Sequence, residues 1–381
     1  MGNFICDVCG NSEDKYIGYI GNRAYCRKCI RFRGVTLETP KESKINSSEL
    51  FIDYQLSPKQ REISEQIVAA YLNHDDVLVH AVCGAGKTEL VLDVIHKALS
   101  LKQKVCFAIP RRDVVIELSS RLREHFRNST VISLYGGSTE LLEGDIVVLT
   151  THQLYRYQKY FDLLVIDEID AFPFKDNEIL ATFFKRAVKG NLVVLTATPS
   201  EQLLADFKKK KHVIFELLVR YHNHPIPLPH IVIRVGYLKI VFLWQKLRVL
   251  IRDSKPVLVF VPTIRIGEIV YRLLNLLIEG GCNVNSQSSD RSETIERFRR
   301  GEYKYLVTTS ILERGITIAN LQVIIYDSDS FIYDSAALIQ ISGRVGRKAN
   351  SPGGEVCFLA NKRTKSQTEA IESIRRANTF L

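Results

Sequence analysis

Residues 81 to 89 read Ala81-Val82-Cys83-Gly84-Ala85-Gly86-Lys87-Thr88-Glu89, and these are the parts of a phosphate cradle. Gly84 and Gly86 let successive backbone N–H groups turn toward an anion. Lys87 supplies a point charge for the outer phosphates, and Thr88 offers an oxygen to a magnesium ion. The strict pattern has glycine at position 81, where this chain has alanine. Further on, Leu163-Leu164-Val165-Ile166-Asp167-Glu168-Ile169-Asp170 ends an apolar run in three carboxylates, which is costly unless a cation or a water meets them. Asp167 suits a magnesium ion shared with Thr88, and Glu168 suits the group that orients and deprotonates an attacking water. Asp170 is then placed to link to Thr196-Ala197-Thr198 at a neighbouring strand end. Far downstream, Gln340-Ile341-Ser342-Gly343-Arg344-Val345-Gly346-Arg347 sets two arginines three residues apart. That spacing predicts one face of a helix, from which Arg344 and Arg347 could stabilise the charge of a transferring phosphate.

A second kind of chemistry sits at the start of the chain. Cys6-x2-Cys9 and Cys26-x2-Cys29, with sixteen residues between the pairs, match the two-knuckle spacing of a four-cysteine zinc site. Four protein ligands leave no open position, so the zinc is read as structural, and so small a module depends on the metal to fold. Tyr16 to Ile20 and Arg23 to Tyr25 read as a hairpin between the knuckles. Arg27, Lys28, Arg31, Phe32 and Arg33 crowd the second knuckle, either as a solvated basic face or as contacts to a phosphate backbone. Cys83, Cys106, Cys282 and Cys357 lie in or beside apolar segments without paired spacing and read as core thiols.

These residues need elements to hold them. Val77 to Ala81 is a short apolar strand before the cradle, and Leu90, Val91, Val94, Ile95 and Ala98 follow it at helical spacing. Ahead of both, Ser57 reads as an N-cap with Pro58 at the first helical position, on a helix carrying Gln60, Ile63, Ile67, Ala70 and Tyr71. Apolar runs at 105–109, 146–149, 163–167 and 192–196 alternate with helical segments, which predicts a parallel sheet covered on both faces. Ligands of such sheets collect at the carboxyl ends of the strands. The pattern repeats at 257–261, 305–309, 323–327 and 355–359. The fold class is therefore α/β, with two tandem parallel-sheet domains behind a small four-cysteine module. Boundaries fall at 1–40 for that module, 41–54 for a linker, 55–222 for the first α/β domain and 223–381 for the second, with a proline-rich joint around Asn223 to His230.

At 381 residues, with 46% hydrophobic and 25% charged residues, the chain has the composition of a soluble globular protein. A formal net charge of +10 favours a polyanionic partner. No apolar run approaches a membrane span, since Leu238 to Ile251 is broken by Lys239, Lys246 and Arg248. No secretory signal is visible at the amino terminus, so a cytoplasmic protein is expected.

Taken in order, the motifs resemble those of superfamily 2 helicases: Gln60, the 81–88 loop, Pro110-Arg111-Arg112, Thr150-Thr151-His152, Asp167-Glu168-Ile169-Asp170, Thr196-Ala197-Thr198, Phe260-Val261-Pro262-Thr263, Thr308-Thr309 with Glu313-Arg314-Gly315, and Gln340 to Arg347. The resemblance covers residues from about 55 to the end. It implies two RecA-like domains with ATP between them and a nucleic-acid strand across both. Gln60 resembles the adenine-contacting glutamine, Cys83 to Glu89 the ATP-binding stretch, and Lys87, Thr88, Asp167 and Glu168 the ATP and magnesium residues. Arg344 and Arg347 resemble arginine fingers. Asp170, Thr196, Thr198, Gly315 and Gln340 match coupling positions, and Arg111, Thr151, Thr263 and Thr309 match strand-backbone contacts.

With the cysteine module, the Leu56 to Gln60 opening and Asp167 to Phe174, the chain is similar to the late competence DNA-uptake ATPases of Gram-positive bacteria, the ComFA family. That similarity implies ATP, Mg2+ and Zn2+ as cofactors and ATP hydrolysis on single-stranded DNA, drawing an incoming strand in at the inner face of the membrane. It also implies three partners: the uptake channel, a phosphoribosyltransferase-like competence protein and a recombination mediator. Two alternatives stay open on the residues alone. One is a zinc-dependent nucleic-acid-binding adaptor with an inert ATP site; the other is a replication-restart, repair or RNA helicase of the same superfamily.

Overall fold

The apolar runs become the strands of two parallel sheets in the computed structural model, which describes residues 4–30, 32, 36–38, 49–138, 141–169, 177–288, 290–309 and 318–381. Two compact units result, Met1–Ala81 with Gly86–Leu217 and Val82–Ala85 with Leu218–Leu381.

The first unit is built on a 7-stranded sheet. Its strands run in the order Val131–Leu134, Ile146–Thr150, Val105–Ile109, Phe161–Asp167, Val188–Thr196, Val77–Ala81 and Val213–Leu217, and every pairing is parallel. Such strands are covered on both faces, which is why Leu163 to Ile166 are all fully buried. Each such side chain contributes about 1.5–3 kcal/mol of transfer free energy. The register sets Asp167 opposite Leu195 and Thr196 opposite His80. Asp167, Thr196 and the start of the Gly-Lys-Thr loop therefore stand at the carboxyl ends of three neighbouring strands.

The helix Pro58–Leu72 begins as its sequence dictates. The Ser57 hydroxyl accepts from the Gln60 N–H, the Gln60 side chain accepts from the Ser57 N–H at 2.9 Å, and Pro58 fills the first position. Its inner face buries Ile63, Ile67, Ala70 and Tyr71.

Ahead of it, Ile17–Ile20 and Arg23–Cys26 form the expected antiparallel hairpin. The four cysteines share a hydrophobic cluster with Leu180 and Phe183. Phe32 meets Phe183 edge-on with ring centroids 4.9 Å apart and stacks on His152 at 6.1 Å.

The second unit carries a 6-stranded sheet in the order His230–Ile233, Val356–Ala360, Gln322–Tyr326, Val257–Phe260, Tyr305–Thr308 and Gly281–Val284. It too is parallel throughout. Among the described residues, no helix is long and apolar enough to cross a membrane.

Candidate nucleotide site and cysteine cluster

The loop after Val77–Ala81 takes its shape from glycine. Gly84 and Gly86 have φ of +86° and +80°, which side-chain-bearing residues rarely adopt. A single 3-10 turn, Glu89–Val91, follows before the helix Leu92–Ser100. The helical spacing read from Leu90 onward thus begins as a tighter turn, a common way for a helix to start. Lys87 Nζ lies 3.8 Å from Asp167 Oδ1, with side chains 15% and 16% exposed. That is an ion pair too long for a hydrogen bond, and a phosphate oxygen on one side and a metal on the other could take it apart.

Glu168 sits just past the strand end at φ +63°, and its N–H donates to Leu195 O at 3.0 Å. A glutamate in left-handed backbone costs about 1 kcal/mol or more, and such strain gathers at functional positions. Next door, the Thr196 hydroxyl accepts from the Thr198 N–H at 3.1 Å, and Thr196 is fully buried. The oxygen donors Thr88 and Asp167 suit a hard cation such as Mg2+, which takes oxygen ligands and keeps several waters.

Gln60 is 4% exposed. Its oxygen is engaged by the helix cap, while its amide nitrogen lies where a Cβ on Gly86 would strike it, at 2.5 Å. Glu89 is held by Arg121 at 2.6 Å. Burial pulls the His80 imidazole below its usual pKa, opposed by Glu216 at 3.7 Å.

Asp170 and Gly315 lie outside the described residues. Arg111 precedes the helix Arg112–His125 in extended backbone. The exposed Thr263 caps the helix Ile264–Asn275, accepting from the Ile266 N–H. Thr309 follows the strand Tyr305–Thr308, and its carbonyl accepts from the Thr308 hydroxyl at 3.2 Å.

Thr151 is fully buried, because it opens the turn Thr151–Arg156, which packs Leu154 and Tyr155 inward. One expectation needs correction. Arg344 and Arg347 do not share a helix face. The helix Ser335–Ser342 carries the buried Gln340 and ends at Gly343, and Gly346 turns to φ +67°. The N–H groups of Arg344 and Val345 donate back only three residues, to Ile341 and Ser342. The two arginines therefore stand on a tight turn, Arg344 at 3% exposure and Arg347 partly exposed, with its Nε donating to Gly343 O at 3.1 Å.

Sequence reasoning also missed Arg220, which holds that turn. It is 2% exposed, and Nη1 donates to Val345 O at 2.8 Å and Gly346 O at 2.7 Å, while Nη2 donates to Gly343 O at 3.1 Å. Burial draws its pKa down to about 10, which still leaves it charged near neutrality. No spacing rule would have singled it out.

In the cysteine cluster, all four Sγ atoms lie within 4.8 Å of one another, with Cys6 to Cys29 at 3.4 Å and Cys9 to Cys26 at 3.6 Å. Tetrahedral sulfur ligands at about 2.3 Å from zinc are roughly 3.8 Å apart, so the cluster fits that ion. Burial pushes the Cys9 thiol up to about 11 and raises Cys29 further. Several adjacent thiolates would be tolerable here with a divalent cation among them.

Comparison with known proteins agrees with this geometry. Residues 53–201 match the family described as type III restriction enzyme, res subunit, and residues 239–349 match the helicase conserved C-terminal domain. The yeast protein Dbp5 (S. cerevisiae), solved bound to RNA and ADP BeF3, superposes with a TM-score of 0.64 at 18% identity, covering 86% of this chain and 92% of its own, a likeness of fold. Two RecA-like parallel-sheet domains with these motifs define an ATP-hydrolysing helicase of superfamily 2, a class that uses ATP and Mg2+.

Within that class, competence protein ComFA of Bacillus subtilis (strain 168) is 33% identical over 98% of this chain and 85% of its own length. Its counterpart in Streptococcus pneumoniae (strain ATCC BAA-255 / R6) is 34% identical over 99% and 91%. The chain belongs to the ComFA family of competence proteins.

Proposed function

We propose that this protein is a single-stranded DNA translocase that uses ATP hydrolysis to draw transforming DNA into the cell. The observation that carries the reading is the approach of Lys87 to Asp167 at the carboxyl ends of neighbouring strands. In the proposed reaction, Lys87 and the loop N–H groups bind the β- and γ-phosphates, and Thr88 and Asp167 hold Mg2+. Bound there, the ion supplies charge neutralisation across the phosphates. Glu168 orients a water whose oxygen attacks the γ-phosphorus. The bond to the bridging oxygen breaks, the water's proton passes to the Glu168 carboxylate, and ADP leaves. Arg344 and Arg347 stabilise the charge on the transferring group. Asp170, Thr196, Thr198, Gly315 and Gln340 couple that step to motion of a strand contacted near Arg111, Thr263 and Thr309.

The net charge of +10 suits such a track, and contacts to phosphate and sugar make binding sequence-independent and salt-sensitive. In this reading Zn2+ is structural, on Cys6, Cys9, Cys26 and Cys29. Work at the inner face of the membrane, with the uptake channel, a phosphoribosyltransferase-like competence protein and a recombination mediator, belongs to the same proposal.

The test measures phosphate release with single-stranded DNA, duplex DNA and RNA. Single-stranded DNA is expected to stimulate most, and Lys87→Ala to lower the stimulated rate by about 10²–10³-fold with the fold intact. Equal or greater stimulation by RNA would move the track to RNA. Persistent DNA binding with no hydrolysis on any polymer would favour the adaptor reading.

A further inference from the structure

A fully buried arginine with no carboxylate beside it is expensive, because a charge leaves water without an opposite charge to replace it. Among the described residues Arg220 pairs with no carboxylate; its two terminal nitrogens are spent on the carbonyls of Gly343, Val345 and Gly346, and its Nε is buried without a partner. Those carbonyls follow the end of the helix Ser335–Ser342, where unsatisfied C=O groups concentrate partial negative charge. Converging carbonyls repel one another, and a planar cation with a fixed fork of donors is the side chain that can gather three of them.

The next two residues extend the grip. His222 Nε2 donates to Gly346 O at 3.0 Å, and its Nδ1 accepts from the His224 N–H at 3.2 Å, which sets the tautomer. The Tyr221 hydroxyl donates to Arg347 O and accepts from the Ala349 N–H, both at 3.3 Å. Three consecutive side chains thus bind the main chain of the turn that carries both arginines, across a sequence separation of 123 to 126 residues.

We propose that Arg220, aided by Tyr221 and His222, is a positioning residue for ATP hydrolysis: it clamps the backbone of residues 343–347 so that Arg344 and Arg347 are presented in one fixed arrangement. This rests on the reading of those two arginines as the charge-stabilising groups. Arg220 lies three residues beyond Leu217, where the first unit ends. Displacement of a catalytic group by about 1 Å costs on the order of 10²-fold in rate.

The experiment is a double-mutant cycle on ATP hydrolysis stimulated by a single-stranded oligonucleotide, using the full chain. It compares Arg220→Lys, Arg344→Gln and the double variant, with Arg220→Met as a harsher probe where it folds. Arg220→Lys keeps a cation but loses the fork. It is expected to lower kcat by about 10–10²-fold and leave KM for ATP within about twofold, the split that marks a loss confined to the transition state. Added to Arg344→Gln, it is expected to cost less than about threefold more, since both changes disable the same group. If the two losses multiply, or Arg220→Lys retains wild-type kcat, the clamp is refuted while the role of Arg344 stands. If Arg344→Gln itself retains full kcat, the role of Arg344 is refuted and the clamp with it.

Discussion

Two glycine-bearing turns carry the residues proposed for the chemistry of this protein, and they are held in different ways. The turn at 84–88 owes its shape to its own residues: Gly84 and Gly86 supply the positive φ angles, and the strand before it and the helix after it aim it. The one backbone bond it takes from the 220–222 segment is a long one, Tyr221 N–H to Gly84 O at 3.4 Å. Lys87 then reaches the end of a strand in the same sheet. The turn at 343–347 has a positive φ at Gly346 alone among its described residues, and its carbonyls are collected by Arg220, Tyr221 and His222 from the far side of the sequence. The difference teaches where each is fragile. A locally encoded turn fails when its own residues change; a turn shaped from afar also fails when a residue with no motif around it is replaced.

The largest expected effect lies in a third kind of support, the cysteine cluster, whose two knuckles have a metal-binding spacing in place of a core of their own. Stripping metal with a chelator is expected to abolish protection from hydrogen exchange over residues 4–30 and to loosen the helix Glu178–Ala187 through Phe32 and the Lys28 to Glu178 pair. Exchange rates indifferent to the chelator would show that the module does not depend on metal. Smaller, and a direct contrast of the two turns, is alanine at Gly346 against alanine at Gly86. A Cβ at Gly346 would land on the Pro352 carbonyl, which is backbone, whereas one at Gly86 would meet the end of the Gln60 side chain, which can move. Both pay for left-handed backbone. Gly346→Ala is expected to lose roughly 3 kcal/mol of stability in urea titration and Gly86→Ala about half that; the reverse order would undo the contrast.

The smallest effect is on pH. Burial first of all holds the His80, His152 and His222 imidazoles below the usual value of 6.5. Each is more easily protonated in the unfolded chain than in the folded one. Their contribution to stability is therefore complete above about 6.5 and lost as pH falls through it toward the lower folded value. Thermal melts between pH 7.5 and 5.5 should show a falling midpoint, and His222→Gln should flatten part of that slope. A midpoint that holds steady or rises on acidification would contradict the burial argument.

The helix start at Ser57 and Pro58 was legible because a cap is decided by residues adjacent in the chain, though the Gln60 half of its capping box was not read. The strand ending in Asp167 was legible because a buried parallel strand must be apolar until it meets the loop. The helix read across Gln340 to Arg347 was not, since the spacing of two arginines says nothing about where carbonyls at 343–346 find their donors. The burial of Thr151 was hidden for a related reason: which face of a short turn is covered depends on what packs against it.

What the amino-acid order settled alone was everything governed by neighbours along the chain: the glycine turn before Lys87, the paired cysteine knuckles, the two runs of parallel strands, and through them the family. What folding in three dimensions decided was the shape of the arginine turn and the partner of Arg220. A hydrogen bond between groups more than a hundred residues apart leaves no trace in local pattern, because its donor and acceptor are joined only by the packing that brings them within 3 Å.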